Sequence, residues 1–321
     1  MNFELDEQQR DFASSIDAAL GAADVPAAVR AWAAGDTTPG RKVWAQLADL
    51  GVTALLVPEK FDGIDAHPVD LVVAMERLGY WAVPGPVTES IAVAPILLAE
   101  DDRGAGLASG ELIATVALPP AVPRAVNADV AGLTLLAADG QVSEASIDSQ
   151  AGAGHESVDP TRTLFDVTAS GAASPADTAR AYEFGVLATA AQLVGAGQAM
   201  LDQSVEYAKQ RSQFGRIIGS YQAIKHKLAD VHIAVELARP LVYGAALALA
   251  DASPDTARDV SAAKVAAADA ALLAARSSLQ THGAIGFTQE HDLSLLLLRV
   301  QALRSAWGDP TLHRRRLLEA L

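Results

Sequence analysis

The sequence predicts a mainly α-helical protein with a small β middle domain: an N-terminal helical domain, a reduced β-sheet domain and a C-terminal antiparallel four-helix bundle. Three observations predict it. Half of the 321 residues are hydrophobic but only 5% are aromatic, and the excess is mostly alanine with leucine and valine, which suits closely packed helices. Both ends of the chain carry apolar residues at helical intervals. Between about Glu111 and Ser174 the texture changes to β-branched runs broken by Gly, Pro, Asn and Asp, the pattern of short strands and hairpins. The corresponding domain limits are 1–110, 111–175 and 176–321.

In the N-terminal part, helices are predicted over Asp6–Ala22, Pro26–Ala34, Arg41–Leu50, Pro68–Leu78 and Ser90–Leu98. Asp24 fits as a cap ahead of Pro26, and either Asp65 or His67 as a cap ahead of Pro68. Gly51, Pro58, "FDGIDAHP" and "VPGP" supply the joints. In the middle, "ELIATVALP", "AGLTLLAADGQVSEA" and "RTLFDVTAS" read as strands, with a hairpin turn at "AADGQV". The C-terminal helices are predicted over Ala176–Gln210, Ser220–Ala250, Asp255–Thr281, Asp292–Ala306 and Thr311–Ala320. In the second of these, Ile224, Leu228, Val231, Val235, Ala238 and Val242 form one core-facing stripe, and Pro240 predicts a kink. Ser220 fits as its N-cap, and Gly283 ends the next helix.

Composition narrows the function. A net charge of −15 argues against nucleic acid as a partner, because nothing would offset phosphate repulsion. The chain has no cysteine, so no thiolate chemistry is available, and that is compatible with the cytosol. "MNFELDEQQRDF" is acidic and polar, unlike a signal peptide. The longest apolar runs are short or broken by charge, so no transmembrane helix is expected. No metal-ligand spacing and no glycine-rich phosphate loop are found.

The informative motifs lie toward the C-terminus. "YAKQRSQFGRIIGSYQAIKHKLAD" is followed by "SSLQTHGAIGFTQEHDLSLLLLR". They contain Arg-x-x-Phe-Gly, a Gln eight residues after that Phe, Leu-Ala-Asp, and Gln-x-x-Gly-x-x-Gly-Phe. In these motifs and spacings the chain resembles the acyl-CoA dehydrogenase family. "FELDEQQRDF", "WAQLADLGVTALLVPEKFDGI" and "VVAMERLGYWAVPGPVTES" are similar to that family's opening domain. The resemblance covers roughly the first 100 and last 130 residues. It implies FAD as cofactor, an acyl-CoA substrate and an electron-transfer flavoprotein as acceptor. It further implies that Arg211, Gln213, Phe214, Gln222, Gln280, Gly283 and Ala284 face the ADP half of FAD, largely across a subunit boundary. The residue chemistry agrees: Arg211 is a planar, permanent cation suited to pyrophosphate, Phe214 offers a ring, and Gln222 and Gln280 offer hydrogen bonds. Gly283 removes a side chain where backbone must approach a ligand.

Two departures stand against that agreement. The middle segment is about half the size the resemblance implies, and nothing in it is like the family's Thr-Glu-Pro-Gly loop or Trp-Ile-Thr/Ser segment, which contact the flavin ring. Then, aligning from Gln280 and Phe287, Trp307-Gly308-Asp309 falls on the family's Glu-Gly-Thr, so a tryptophan stands at the catalytic base. The family's other base position falls near Gly185, with Glu183 two residues earlier, about half a turn away on a helix. Asp309 is the nearest carboxylate to the lost glutamate, but directly before Pro310 it suits an N-cap better than a base. The expectation is one subunit of an α2β2 hetero-oligomeric dehydrogenase, completed by a full-length family member. The alternatives are a self-sufficient homo-oligomer using Asp309 or Glu183 as base, and a non-catalytic structural subunit. Similar short members handle steroid-derived CoA thioesters, which makes such a substrate the expectation here.

Overall fold

A computed structural model describes residues 4–150, 152 and 154–320. The N-terminal helices are α1 (Glu7–Ala22), α2 (Val25–Ala33), α3 (Thr38–Asp49) and α4 (Pro68–Tyr80). Asp6 and Gln9 form a reciprocal capping box at α1, Oδ1 accepting from the Gln9 amide at 2.8 Å and Gln9 Oε1 from the Asp6 amide at 3.2 Å. Asp24 caps α2 as expected. At α4 the cap is His67, whose Nδ1 accepts from the Val69 amide at 3.1 Å, and Asp65 lies outside the helix with φ +47°. The helix predicted over Ser90–Leu98 is instead a π-helix over Thr88–Val93 running into the short α5 (Ala94–Leu97). Pro95 has no N–H to return to Ile91, and the wider turn accommodates that loss. A short α6 (Gly104–Ala108), not predicted, leads into the sheet.

The middle region is a small mixed sheet. Strand β1 (Ala114–Ala117) precedes β2 (Ala125–Val126), β3 (Leu133–Ala138) and β4 (Gln141–Ile147). β5 (Leu164–Phe165), β6 (Val167–Ala169) and β7 (Ser174–Pro175) follow. The order is β1-β3-β4-β6, with β1 parallel to β3, β3 antiparallel to β4 and β7 also on β4, while β2 pairs β5. The β3–β4 turn places Asp139 and Gly140 at φ +50° and +74°, the geometry that the Asp-Gly pair provides.

Long helices form the C-terminal part: α7 (Thr178–Gln210), α8 (Gln222–Ala250), α9 (Thr256–His282) and α10 (Leu293–Ser305), followed by α11 (Pro310–Glu319). A hairpin of β8 (Ser212–Gln213) and β9 (Arg216–Ile217) joins α7 to α8. Helix α7 is central and packs on α4, α8, α9 and α10. By length and hydropathy both α7 and α8 could cross a membrane, but 94% of α7's most apolar window is buried inside the protein, and 44% of α8's. Alanine lets these helices approach closely; Gly195 lies so near the Glu76 carbonyl on α4 that a Cβ would come within 1.8 Å. Of the stripe on α8, Val231, Val235, Ala238 and Val242 are buried while Ile224 and Leu228 are half-buried, and the helix continues through Pro240. Ser220 does not cap α8: its hydroxyl turns back to the Ile217 carbonyl at 2.7 Å, and the helix begins two residues later.

One buried cation ties the regions together. Arg299 on α10 donates through Nε to Asp159 Oδ2 (2.6 Å), through Nη2 to Thr161 Oγ1 (3.0 Å) and through Nη1 to the Val83 carbonyl (2.8 Å). Burial alone would raise the Asp159 carboxyl, but the Arg299 charge and the hydrogen bonds from Arg299 and Thr161 together hold it below the usual carboxylate range. Removing one partner leaves the other charge buried and uncompensated, so Asp159→Ala is expected to lower stability by about 3–5 kcal/mol, read by urea unfolding.

Candidate functional site

The turn between α10 and α11 is built around Trp307. Its backbone is left-handed, φ +57°, and Gly308 follows at +96°. A non-glycine residue holds that conformation only when its surroundings fix it, and here they do. The Trp307 carbonyl accepts from His313 Nε2 at 2.9 Å and from the Tyr182 hydroxyl at 3.2 Å. Because Nε2 must carry the proton to reach a carbonyl, His313 Nδ1 accepts from the Ser261 hydroxyl at 3.2 Å. Burial is the main reason that His313 stays neutral, its pKa lowered to about 4.

The indole ring, 2% exposed, lies on Gly185 of α7; a Cβ there would stand 2.3 Å from the ring. Its Nε1 donates to Glu89 Oε1 at 3.1 Å, and the Arg162 guanidinium stands 3.7 Å from the same oxygen. Glu89 Oε2 is buried with no protein partner. Beside this group lies a cavity of about 290 Å³, walled by Trp307, Glu89, Arg162, Arg124, Val126 and Ala302. The two other carboxylates nearby are engaged. Glu183 pairs with Arg316 on α11, and burial raises its pKa. Asp309 is exposed and caps α11, Oδ1 accepting from the Leu312 amide at 2.8 Å.

The residues expected to face a cofactor collect at one end of the bundle. Arg211 ends α7, and its carbonyl accepts from the Ile218 amide across the hairpin at 2.8 Å. At the hairpin tip Phe214 has φ +53° and is 93% exposed. The Gln213 carbonyl accepts from the Tyr221 hydroxyl at 3.3 Å, and Arg216 lies 3.9 Å over the Tyr221 ring. Gln222 opens α8, while Gln280 lies in the last turn of α9. Lys227 Nζ bonds Gln280 Oε1, and Tyr207 stacks on His282 at 4.4 Å, which brings the ends of α7, α8 and α9 together. Gly283 has φ +65° and ψ −141°, a region closed to other residues, and a Cβ there would meet nothing within 4 Å. Ala284 follows it, exposed. A permanent cation, an exposed ring, two carboxamides and an open glycine fit the ADP half of a flavin dinucleotide.

Comparison with known proteins decides the family. The profile for "Acyl-CoA dehydrogenase, N-terminal domain" matches residues 6–100 and that for "Acyl-CoA dehydrogenase, C-terminal domain" matches 179–321. Acyl-CoA dehydrogenase IpdE2 of Mycobacterium tuberculosis is 33% identical over 298 residues, spanning 91% of this chain and 90% of that protein. This chain belongs to the acyl-CoA dehydrogenase family. Its members are FAD-dependent oxidoreductases. In fold it is similar to the ChsE4-ChsE5 complex from M. tuberculosis, with a TM-score of 0.85 at 22% identity over 99% of this chain and 98% of that one. It is likewise similar to butyryl-CoA dehydrogenase from Megasphaera elsdenii, with a TM-score of 0.83 at 20% identity over 100% and 99% of the two chains.

For a member of this family, the Trp307–Gly185 contact has a specific meaning. The residue that aligns with the family's base, Trp307, lies against the stretch of α7 near which the resemblance puts the other base position, its ring on Gly185. Sequence reading missed Glu89, which accepts from the indole nitrogen, and Arg162, which stands beside that carboxylate. A carboxylate beside the otherwise apolar "SIAVAPILLA" is the signal that could have found Glu89.

Two measurements check this geometry. Gly185→Ala is expected to cost about 1–3 kcal/mol by overpacking, with most of the loss absent in a Trp307→Ala background; urea unfolding of the four proteins reads the coupling. For His313 the folded pKa lies below the unfolded value of 6.5, so the unfolded state takes its proton first as pH falls. Its contribution is therefore complete above pH 6.5 and lost toward pH 4, and the melting temperature of wild type should fall relative to that of His313→Gln over this window.

Proposed function

We propose that this chain is one subunit of a hetero-oligomeric acyl-CoA dehydrogenase that acts on an acyl-CoA thioester, a steroid-derived one. In this reading Arg211, Gln213, Phe214, Gln222, Gln280, Gly283 and Ala284 bind the ADP half of a FAD whose ring lies in the partner subunit. That partner is a full-length family member, in an α2β2 assembly, and it supplies the thioester site and the catalytic base. An electron-transfer flavoprotein accepts the electrons, and the complex works in the cytoplasm. The chain would act as three units, 1–110, 111–175 and 176–321.

The observation that carries the reading is a contrast within one molecule. The position that aligns with the family's base carries Trp307, packed on Gly185, while the residues expected to face the ADP half are exposed at the end of the bundle. Its likeness in fold to the ChsE4-ChsE5 complex and to the Tcur3481-Tcur3483 steroid ACAD, the latter with a TM-score of 0.85 at 20% identity, supports both the paired assembly and the substrate class.

The division of labour follows from the residues. When bound, FAD supplies the acceptor for the hydride that leaves the β-carbon of the thioester. Arg211 would neutralise pyrophosphate charge, and Phe214 would cover the adenine or flavin edge. Gln222 and Gln280 would bond cofactor oxygens, and Gly283 would let the backbone approach. Neither candidate carboxylate is free to move the α-proton: Asp309 is a helix cap and Glu183 is tied to Arg316.

Purification alone, and after co-expression with full-length acyl-CoA dehydrogenase chains of the same genome, tests the proposal by flavin absorbance. The expected results are a colourless lone chain and a complex with half as many flavins as subunits. Full flavin occupancy with acyl-CoA oxidation by the lone chain would overturn the reading. In the complex, Arg211→Ala should weaken FAD retention about tenfold or more, the scale of a lost charge-assisted hydrogen bond. Asp309→Ala should leave turnover unchanged while lowering stability by about 1 kcal/mol for the lost cap.

A further inference from the structure

Beside the expected cofactor residues stands a cation that the motifs do not single out. Lys227, half-buried in the second turn of α8, reaches across to α9 and places its Nζ on Gln280 Oε1. An ammonium has three donors and no acceptor, so only the carbonyl end of the carboxamide can face it. The contact therefore fixes which way Gln280 is flipped, and the NH2 end becomes the group left to meet a ligand. Lys227 keeps two N–H donors of its own. The pair thus presents N–H groups, and the complementary ligand is an oxyanion.

Charge points the same way. In a chain of net charge −15, most buried or half-buried cations face a carboxylate: Arg77 meets Asp17, Arg239 meets Glu76, Arg299 meets Asp159 and Arg316 meets Glu183. Among the described residues Lys227 has no carboxylate partner, and its one recorded side-chain contact is neutral. Arg211 and Arg216 at the neighbouring hairpin are likewise unpaired with any carboxylate among the described residues; Arg216 rests instead on the Tyr221 ring. Three cations at this end of an acidic protein thus stand without a carboxylate partner among the described residues.

We propose that Lys227 is a phosphate-contacting and positioning residue: it donates to the pyrophosphate of the dinucleotide and holds Gln280 so that its NH2 donates there as well. The proposal rests on the trans-acting ADP site described above. It adds a residue to that site and a reason for the orientation of another.

The flavin-loaded complex is the material for the test, with FAD dissociation constants measured from flavin fluorescence at low and moderate salt. Lys227→Met is expected to weaken FAD binding about tenfold or more and to flatten its salt dependence. Lys225→Met, which removes an exposed charge two positions away, should stay within about twofold, the scale of a screened surface charge. Lys227→Arg should recover part of the loss by keeping the charge. Gln280→Ala should cost less in the Lys227→Met background than alone, because the two act as a unit. Melting curves of each complex confirm that folding is intact. If Arg211→Ala releases flavin but Lys227→Met matches Lys225→Met, Lys227 is a helix-surface residue and the proposal fails. If Arg211→Ala also retains flavin, the trans-acting site itself is wrong and Lys227 falls with it.

Discussion

An indole ring lying flat on a glycine sets the terms for the rest of this molecule. The contact needs a residue without a side chain at position 185 and a left-handed turn at Trp307, and each has structural support. The turn is held by His313 and Tyr182 on its carbonyl, and the ring is held by Glu89 on its nitrogen. Those three partners come from α11, α7 and the π-helix, so a single side chain organises the joint between the N-terminal helices and the bundle. Arg299 performs a similar service one helical face away, joining α10 to the middle region and to the Val83 carbonyl. Two buried side chains of α10 and its exit turn thus fix how three parts of the chain meet.

Much of this was legible in the sequence, for reasons that can be named. Helices with caps and periodic stripes carry their own local signal, and α1, α2, α4 and the long C-terminal helices lie within a few residues of the predicted spans. The Asp-Gly hairpin was legible because positive φ at two successive residues selects those residue types. What escaped was non-local or rested on competing local chemistry. The helix predicted from Arg41 begins at Thr38, because Pro39 sits in a first helical turn where its missing N–H costs nothing. The hydroxyl of Ser220 bonds the Ile217 carbonyl behind it and not an amide ahead of it.

The site divides along the same line. The residues that the resemblance expects at the cofactor are spaced along the chain as motifs, so a sequence can offer them directly. The network around Trp307 is assembled from positions 89, 162, 185, 307 and 313, which no interval connects. Arg299 and Asp159 are 140 positions apart; a lone arginine inside "LLLLRVQAL" announces that a buried partner exists without saying where. Lys227 escaped for a different reason, since a lysine on a helix surface carries no distinguishing mark until the carboxamide it touches is seen.

The fit between Trp307 and Gly185 also bears on how such a chain can change over generations. A carboxylate arriving at position 185 would collide with the ring, and one arriving at position 307 would lose the indole's bond to Glu89 and set a second acid beside it. Neither single step passes through a well-packed intermediate. With a bulky ring settled over a bare backbone, what one of these positions tolerates depends on the residue at the other.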